Sequence, residues 1–269
     1  MTFSLALAAA LACPSRAGSV RPVAARAPVA PVAINPFSPP FEPERRVLAA
    51  VAARYGTDPE PEPAARLGLG DWAEVRAGVL PARPPRALGR PLPARPGGAV
   101  AVKIPYEDPG GMMSHEARVS RRLTQAGGGA LFVRAAYDPQ LGVLVMERLR
   151  GHVSLGDWLE SRRVTRAQAD RIRAQLGRVL AALEASGLVH SDLKPEHVLV
   201  GPGARLKVID FGIAAERGAY PPYPGFEGWR GGHVDYVSPN QLSNGPAAFE
   251  DDRHAVSVLL RRLDRAAAR

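Results

Sequence analysis

The stretch that most constrains this chain is Val189-His190-Ser191-Asp192-Leu193-Lys194-Pro195-Glu196-His197, followed by Ile209-Asp210-Phe211-Gly212. Asp210 follows Asp192 by 18 residues, and Lys194 stands two residues beyond Asp192. Between the two stretches, Val198–Val200 and Leu206–Ile209 flank Gly201-Pro202-Gly203 and are expected as short strands around a turn. Any fold for this chain has to accommodate these charged residues at this spacing.

The rest of the chain alternates short strands with helices. Glu42 to Tyr55 has helical spacing, with Val47, Leu48, Val51 and Ala52 on one side; Gly56 and the Pro/Glu run 59–63 end it. Residues 65–80 read as a hairpin, and 81–96 are too proline-dense for a strand. Ala99 to Ile104 is an expected strand and Ser114 to Gln125 a helix, stopped by Gly127-Gly128-Gly129. Residues 131–136 and 142–147 read as strands, and Leu155–Ser161 and Thr165–Ser186 as helices. The second of these helices opens on the capping-box pattern Thr165-Arg166-Ala167-Gln168. A last helix is expected over roughly 251–267.

Further motifs precede the charged stretches. Gly68-Leu69-Gly70-Asp71-Trp72-Ala73-Glu74-Val75 has two glycines that would let backbone amides approach phosphate oxygens; a plain hairpin turn is the alternative. In Val100-Ala101-Val102-Lys103 a lysine points inward from an apolar strand, which is costly unless it meets an anion. Glu116, in His115-Glu116-Ala117-Arg118, is its natural partner, and a solvated helix face is the alternative reading. Val143-Leu144-Val145-Met146-Glu147-Arg148-Leu149 is a further apolar strand, where simple core packing would also account for Met146.

Taken in order, these stretches resemble the signatures of protein kinases over about residues 65–269. The resemblance implies an α+β, two-lobed protein kinase-like fold. A small antiparallel β-rich lobe would span 65–147 and a shortened helical lobe 148–269, with ATP between them. A helix and linker over 42–64 and a flexible segment over 1–41 would precede it. Gly68 and Gly70 would then lie over the phosphates, and Lys103 paired with Glu116 would clamp them. Val75, Ala101, Leu149 and Leu199 would enclose adenine beside the hinge, with Met146 as gatekeeper and Glu147 next to it. Asp192 would accept or orient the substrate hydroxyl, and Lys194 would neutralise the transferred phosphoryl group, as in the serine/threonine type. Asp210 would hold Mg2+ bridging the phosphates.

The chain also departs from the family pattern. His197 stands where the family has a metal-binding asparagine; an imidazole favours softer ions than Mg2+, so Mn2+ is an alternative metal. Ser191 replaces the arginine that receives an activation-loop phosphate, so activity is expected not to depend on one. Ser120 sits where an apolar residue packs beneath the glutamate, which leads us to expect a small or loosely docked helix. Asn240 replaces the glutamate of the Ser-Pro-Glu segment, while Asp252 fits the aspartate that caps the catalytic loop. The resemblance leads us to expect that the later helices of a full kinase, with much of the substrate-docking platform, are missing.

The expected function is ATP-dependent phosphorylation of a protein serine or threonine. A non-catalytic nucleotide-binding scaffold, a small-molecule or sugar kinase, and a kinase that needs an activating protein partner remain open. The net charge of +9 comes without a Lys/Arg run interleaved with aromatics, so it points to ATP or an acidic protein partner rather than nucleic acid. No apolar run reaches the length of a membrane span, and the single Cys13 allows no internal disulfide. Residues 1–41 have no Asp or Glu but carry Arg16, Arg21, Arg26 and seven prolines. That composition suits a leader for an organelle or for secretion of an effector; a cytoplasmic location is the default.

Overall fold

The computed structural model describes residues 43–58, 66–70, 72–106, 111–222 and 231–268. The 1–41 segment and the 59–63 run lie outside them. After helix α1 (Arg45–Tyr55), five strands build one antiparallel sheet: β1 (Gly68–Leu69), β2 (Ala73–Val79), β3 (Ala99–Pro105), β4 (Ala135–Asp138) and β5 (Val143–Glu147). Their order is β1-β2-β3-β5-β4. Helix α2 (Met112–Gln125) connects β3 to β4.

The period-two alternation of a strand explains why β3 and β5 are apolar at nearly every position. Val100, Val102 and Ile104, with Val143 and Val145, face one side, where Val51 and Tyr55 of α1 cover them. Ala101, Leu144 and Met146 face the other side, where Met113, Ala117 and Leu123 of α2 pack. Lys103 shares parity with Ala101 and so projects toward α2. The sheet is thus buried on both faces, and α1 is part of its core. Arg54 Nη1 and the Tyr55 hydroxyl both donate to Asp138 Oδ2, at 2.8 and 2.7 Å, and Asp138 is fully buried.

Two expectations require correction. Helix α2 is neither small nor loosely docked: it starts two residues earlier than expected and runs for 14 residues. Ser120 is fully buried and compensates for its polarity by donating to the Val133 carbonyl at 2.6 Å and accepting from the Ala135 N–H at 2.9 Å. It therefore pins α2 to the start of β4. The strand expected over 131–136 also begins later. Leu131 and Val133 pair instead with Val208 (Val208 N to Leu131 O 2.7 Å, Val133 N to Val208 O 2.9 Å). That pairing joins the sheet to the helical lobe.

The helical lobe carries β6 (Val153–Ser154), α3 (Leu155–Glu160), α4 (Arg166–Ala185), β7 (Leu188–Val189), β8 (Val198–Gly201), β9 (Arg205–Val208), β10 (Ala215–Glu216), α5 (Pro239–Leu242) and α6 (Phe249–Ala267). Thr165 and Gln168 close the expected capping box on α4. Its Ile172, Leu176, Val179 and Leu183 line one face at helical spacing and share a core with Val256, Leu259 and Leu263 of α6. Each such side chain contributes about 1.5–3 kcal/mol by leaving water. β6, β8 and β9 form a three-stranded sheet in that order, and β7 pairs with β10. This is the expected two-lobed α+β fold. No described helix is long and apolar enough to cross a membrane.

Candidate active site

The centre of the site is the Lys103 ammonium. It donates to Glu116 Oε2 at 2.8 Å and to Asp210 Oδ1 at 3.1 Å, joining β3, α2 and the segment after β9. Burial alone would push Lys103 down, but the Asp210 and Glu116 carboxylates hold it above the usual lysine value. Burial likewise opposes charge on Asp210, and the neighbouring Lys103 and His197 hold its carboxyl well below the usual carboxylate range. Glu116, 1% exposed, is pushed up by burial against the pull of Lys103. Asp210 adopts φ +66°, an uncommon backbone region for a non-glycine residue. At Gly212, two residues on, an added Cβ would stand 3.2 Å from Asp210 Oδ1, a tight contact that the carboxylate would have to yield to.

The loop after β7 brings the second group of charges to the same place. Lys194 Nζ donates to Asp192 Oδ2 at 3.0 Å, while Asp192 Oδ1 is buried without a hydrogen-bond partner. His197 Nδ1 lies 2.9 Å from the Asp192 carbonyl oxygen, and its Nε2 lies 3.5 Å from Asp210 Oδ2. The six polar candidates, Lys103, Glu116, Asp192, Lys194, His197 and Asp210, are therefore linked into one network.

The loop is held from below. Asp252 accepts the backbone N–H groups of His190 and Ser191 at 2.7 and 3.0 Å. Gln241 Nε2 donates to the Ser191 carbonyl at 2.8 Å, and Ser191 sits at φ +69°. The fully buried His190 ring donates from Nε2 to the Ile209 carbonyl at 3.1 Å and accepts the Asp192 N–H at Nδ1 at 3.3 Å. Acceptance at Nδ1 requires a neutral ring, and burial, with His197 adding to it, lowers the His190 pKa to about 3. Phe211 is fully buried, with its ring 5.4 Å from that of His190 and 6.0 Å from that of Phe132. Asn240, in place of a glutamate, donates to Asp251 of α6 at 3.1 and 3.2 Å.

Among the apolar candidates, Ala101 and Met146 are register partners on β3 and β5, and Val75 and Leu149 pack against the same core. Leu199 is half-buried on β8. Gly68 faces Val75 across β1 and β2, and Gly70 N–H closes the turn onto Ala73 O at 2.9 Å. The Glu147 side chain is not free to meet a ligand. Arg134 holds it at 3.0 Å and Lys207 at 2.6 Å, and the Glu147 backbone N–H donates to the Arg134 carbonyl at 2.9 Å. Two surface hollows, one beside Arg54 and Leu141 and one beside Trp158 and Pro202, contain none of these candidates.

Three contributors to the site carry no local sequence signal. Lys207 Nζ also donates to the Gly129 and Phe132 carbonyls at 2.7 and 3.0 Å, tying β9 to the connection between α2 and β4. His115 Nε2 meets the Ala214 carbonyl at 2.7 Å and so fastens α2 to the segment following Gly212. Ser120 acts as described above. Their partners lie between 13 and 99 residues away in sequence.

The residues fit a nucleotide with a divalent ion. An ammonium held charged by two carboxylates can receive phosphate, and a strongly ionised Asp210 with an imidazole nitrogen beside it forms a donor pair for a cation. Among the described residues, no group of three or more His, Cys, Asp or Glu side chains is arranged to hold a metal ion.

Comparison with known proteins gives the same picture. The family model described as the protein kinase domain matches residues 116–265, more than half of the chain, and begins at Glu116. A calcium/calmodulin-dependent serine/threonine-protein kinase of Malus domestica is 34% identical over 128 residues, covering 46% of this chain and 30% of that protein. A calcium and calcium/calmodulin-dependent serine/threonine-protein kinase of Pisum sativum is 30% identical over 128 residues, covering 46% and 24%. The serine/threonine-protein kinase PknA of Mycobacterium tuberculosis is 32% identical over 116 residues, covering 43% and 26%. The chain thus spans under a third of the length of these relatives.

Proposed function

The chain belongs to the protein kinase family, and from that premise we propose that it transfers the γ-phosphoryl group of ATP to a serine or threonine of a protein substrate. The observation that carries this reading is the Lys103 ammonium bonded at once to Glu116 and Asp210. One cation beside one ionised carboxylate supports this reading, because a phosphate chain and its metal need both.

ATP with a divalent ion supplies the activated phosphoryl group and neutralises its charge. Lys103, oriented by Glu116, binds phosphate oxygens. Asp210 and His197 would hold the ion. Asp192, with one carboxylate oxygen unpartnered, orients the acceptor hydroxyl and takes up its proton. Lys194, 3.0 Å from the other oxygen, is placed to offset charge on the transferred group. Asp252 and Gln241 position the loop from beneath and touch no reacting atom.

The reading is tested with γ-labelled ATP and a Ser/Thr peptide library. Label on serine or threonine in the wild type, lost in Asp210→Asn, is the expected result. Labelling of a sugar or other small molecule in place of peptide would redirect the assignment, and nucleotide binding without transfer would leave a scaffold.

A further inference from the structure

The geometry around His197 leads us to a proposal that rests on the kinase reading and extends it to the metal. We propose that the ion position beside His197 and Asp210 selects a first-row transition dication, with Mn2+ as the probe, over Mg2+, and that His197 Nε2 is a direct ligand.

The argument starts from hydrogen-bond direction. A carbonyl oxygen can only accept, so the 2.9 Å contact between His197 Nδ1 and the Asp192 carbonyl places the ring proton on Nδ1. In the neutral ring the lone pair is then on Nε2. That atom is turned toward Asp210, 3.5 Å from Oδ2. Two ligand atoms each about 2.1 Å from one ion, at tetrahedral to octahedral angles, stand roughly 3.0–3.4 Å apart. The observed separation needs only a small adjustment. The Asp192 contact also fixes the ring plane, as the second hydrogen bond of a metal-ligating histidine commonly does.

Chemistry then sets the selectivity. Mg2+ prefers oxygen ligands and near-ideal octahedral geometry, whereas an imidazole nitrogen raises affinity along the series from Mn2+ toward the later metals. An asparagine at this position would offer an amide oxygen and keep the site hard. With His197 in its place, the nitrogen–oxygen pair disfavours Mg2+ relative to a transition ion. The remaining ligands would come from nucleotide phosphates and water, consistent with no larger His, Cys, Asp or Glu group among the described residues.

The test reads the metal rather than turnover. Mn2+ is bound to the full chain with a non-hydrolysable ATP analogue, and electron spin echo modulation is recorded on natural-abundance and 15N-histidine-labelled protein. The expected result is a directly bound 14N signal that changes to 15N on labelling and is absent in His197→Asn. The ratio of Mn2+ to Mg2+ affinity, measured with the same analogue, should fall at least tenfold in His197→Asn. Mn2+·analogue binding without a histidine-dependent signal, or with an unchanged ratio in a folded variant, overturns the proposal and leaves the kinase reading standing. Failure of the wild type to bind the analogue with either ion removes both. Should His197→Asn fail to fold, the labelling experiment on wild type decides alone.

Discussion

Lys103 Nζ on β3 donates to Glu116 Oε2 on α2 at 2.8 Å, so the register of a strand and the docking of a helix depend on each other. Removing one member of a buried pair strands the other. Glu116→Ala is therefore expected to cost about 3 kcal/mol, the low end for a buried pair because Asp210 still holds Lys103. Lys103→Met combined with Glu116→Leu should recover most of that stability while leaving phosphoryl transfer at background. Urea unfolding of the three chains checks this; a loss under about 0.5 kcal/mol in Glu116→Ala would contradict a buried charge pair.

His190 gives a pH dependence with a definite sign. Its ring is neutral in the folded state, with a pKa of about 3 against 6.5 for a free histidine. Below pH 6.5 the unfolded chain takes up a proton that the folded chain refuses, so this contribution to stability falls as pH drops from about 6.5 toward about 3. The slope approaches about 1.4 kcal/mol per pH unit. The difference between wild type and His190→Asn in urea midpoints across pH 7 to 4 isolates it from other groups. The gap should narrow as pH falls, and a constant gap would contradict it.

Much of this was legible because the signals are local. The Asp192–Lys194 and Asp210–Gly212 stretches, the Thr165–Gln168 capping box and the alternation of β3 each reside within a few residues. Ser120 misled because its hydroxyl is satisfied by Val133 and Ala135, which sequence spacing alone does not place against α2. The Lys207–Glu147 and His115–Ala214 contacts join residues 60 and 99 positions apart, and nothing in the local spacing pairs them. The covering of the sheet by α1 was hidden similarly: the apolar side of the helix was visible, but not the surface it meets.

That covering yields a third expectation. The Tyr55 hydroxyl and Arg54 share Asp138 Oδ2, and Asp138 is wholly buried. Tyr55→Phe leaves the carboxylate one donor short and should cost about 1–3 kcal/mol. Tyr55→Ala also empties a fully buried site and should cost about 3–5 kcal/mol. Thermal or urea unfolding reads both; near-wild-type stability in Tyr55→Ala would mean that α1 does not belong to the sheet's core.

Ser191 supports a regulatory expectation. The loop at this residue is held by Gln241 and Asp252 through neutral and carboxylate hydrogen bonds to backbone, and serine offers no cation to a phosphate. Phosphatase treatment should leave the transfer rate within about twofold. Asp252→Ala should lower it by tenfold or more, through loss of both backbone contacts. A tenfold fall on dephosphorylation would show that another group receives a phosphate.

The most direct measurement is intact and peptide mass spectrometry of wild type and Asp192→Asn after incubation with a Ser/Thr protein substrate, ATP and either Mg2+ or Mn2+. Wild type is expected to add 80 Da (the mass of one phosphoryl group) to substrate serine or threonine, while Asp192→Asn falls by at least two orders of magnitude. Equal phosphate incorporation by the two proteins, or none by wild type with either ion, would contradict phosphoryl transfer at this site.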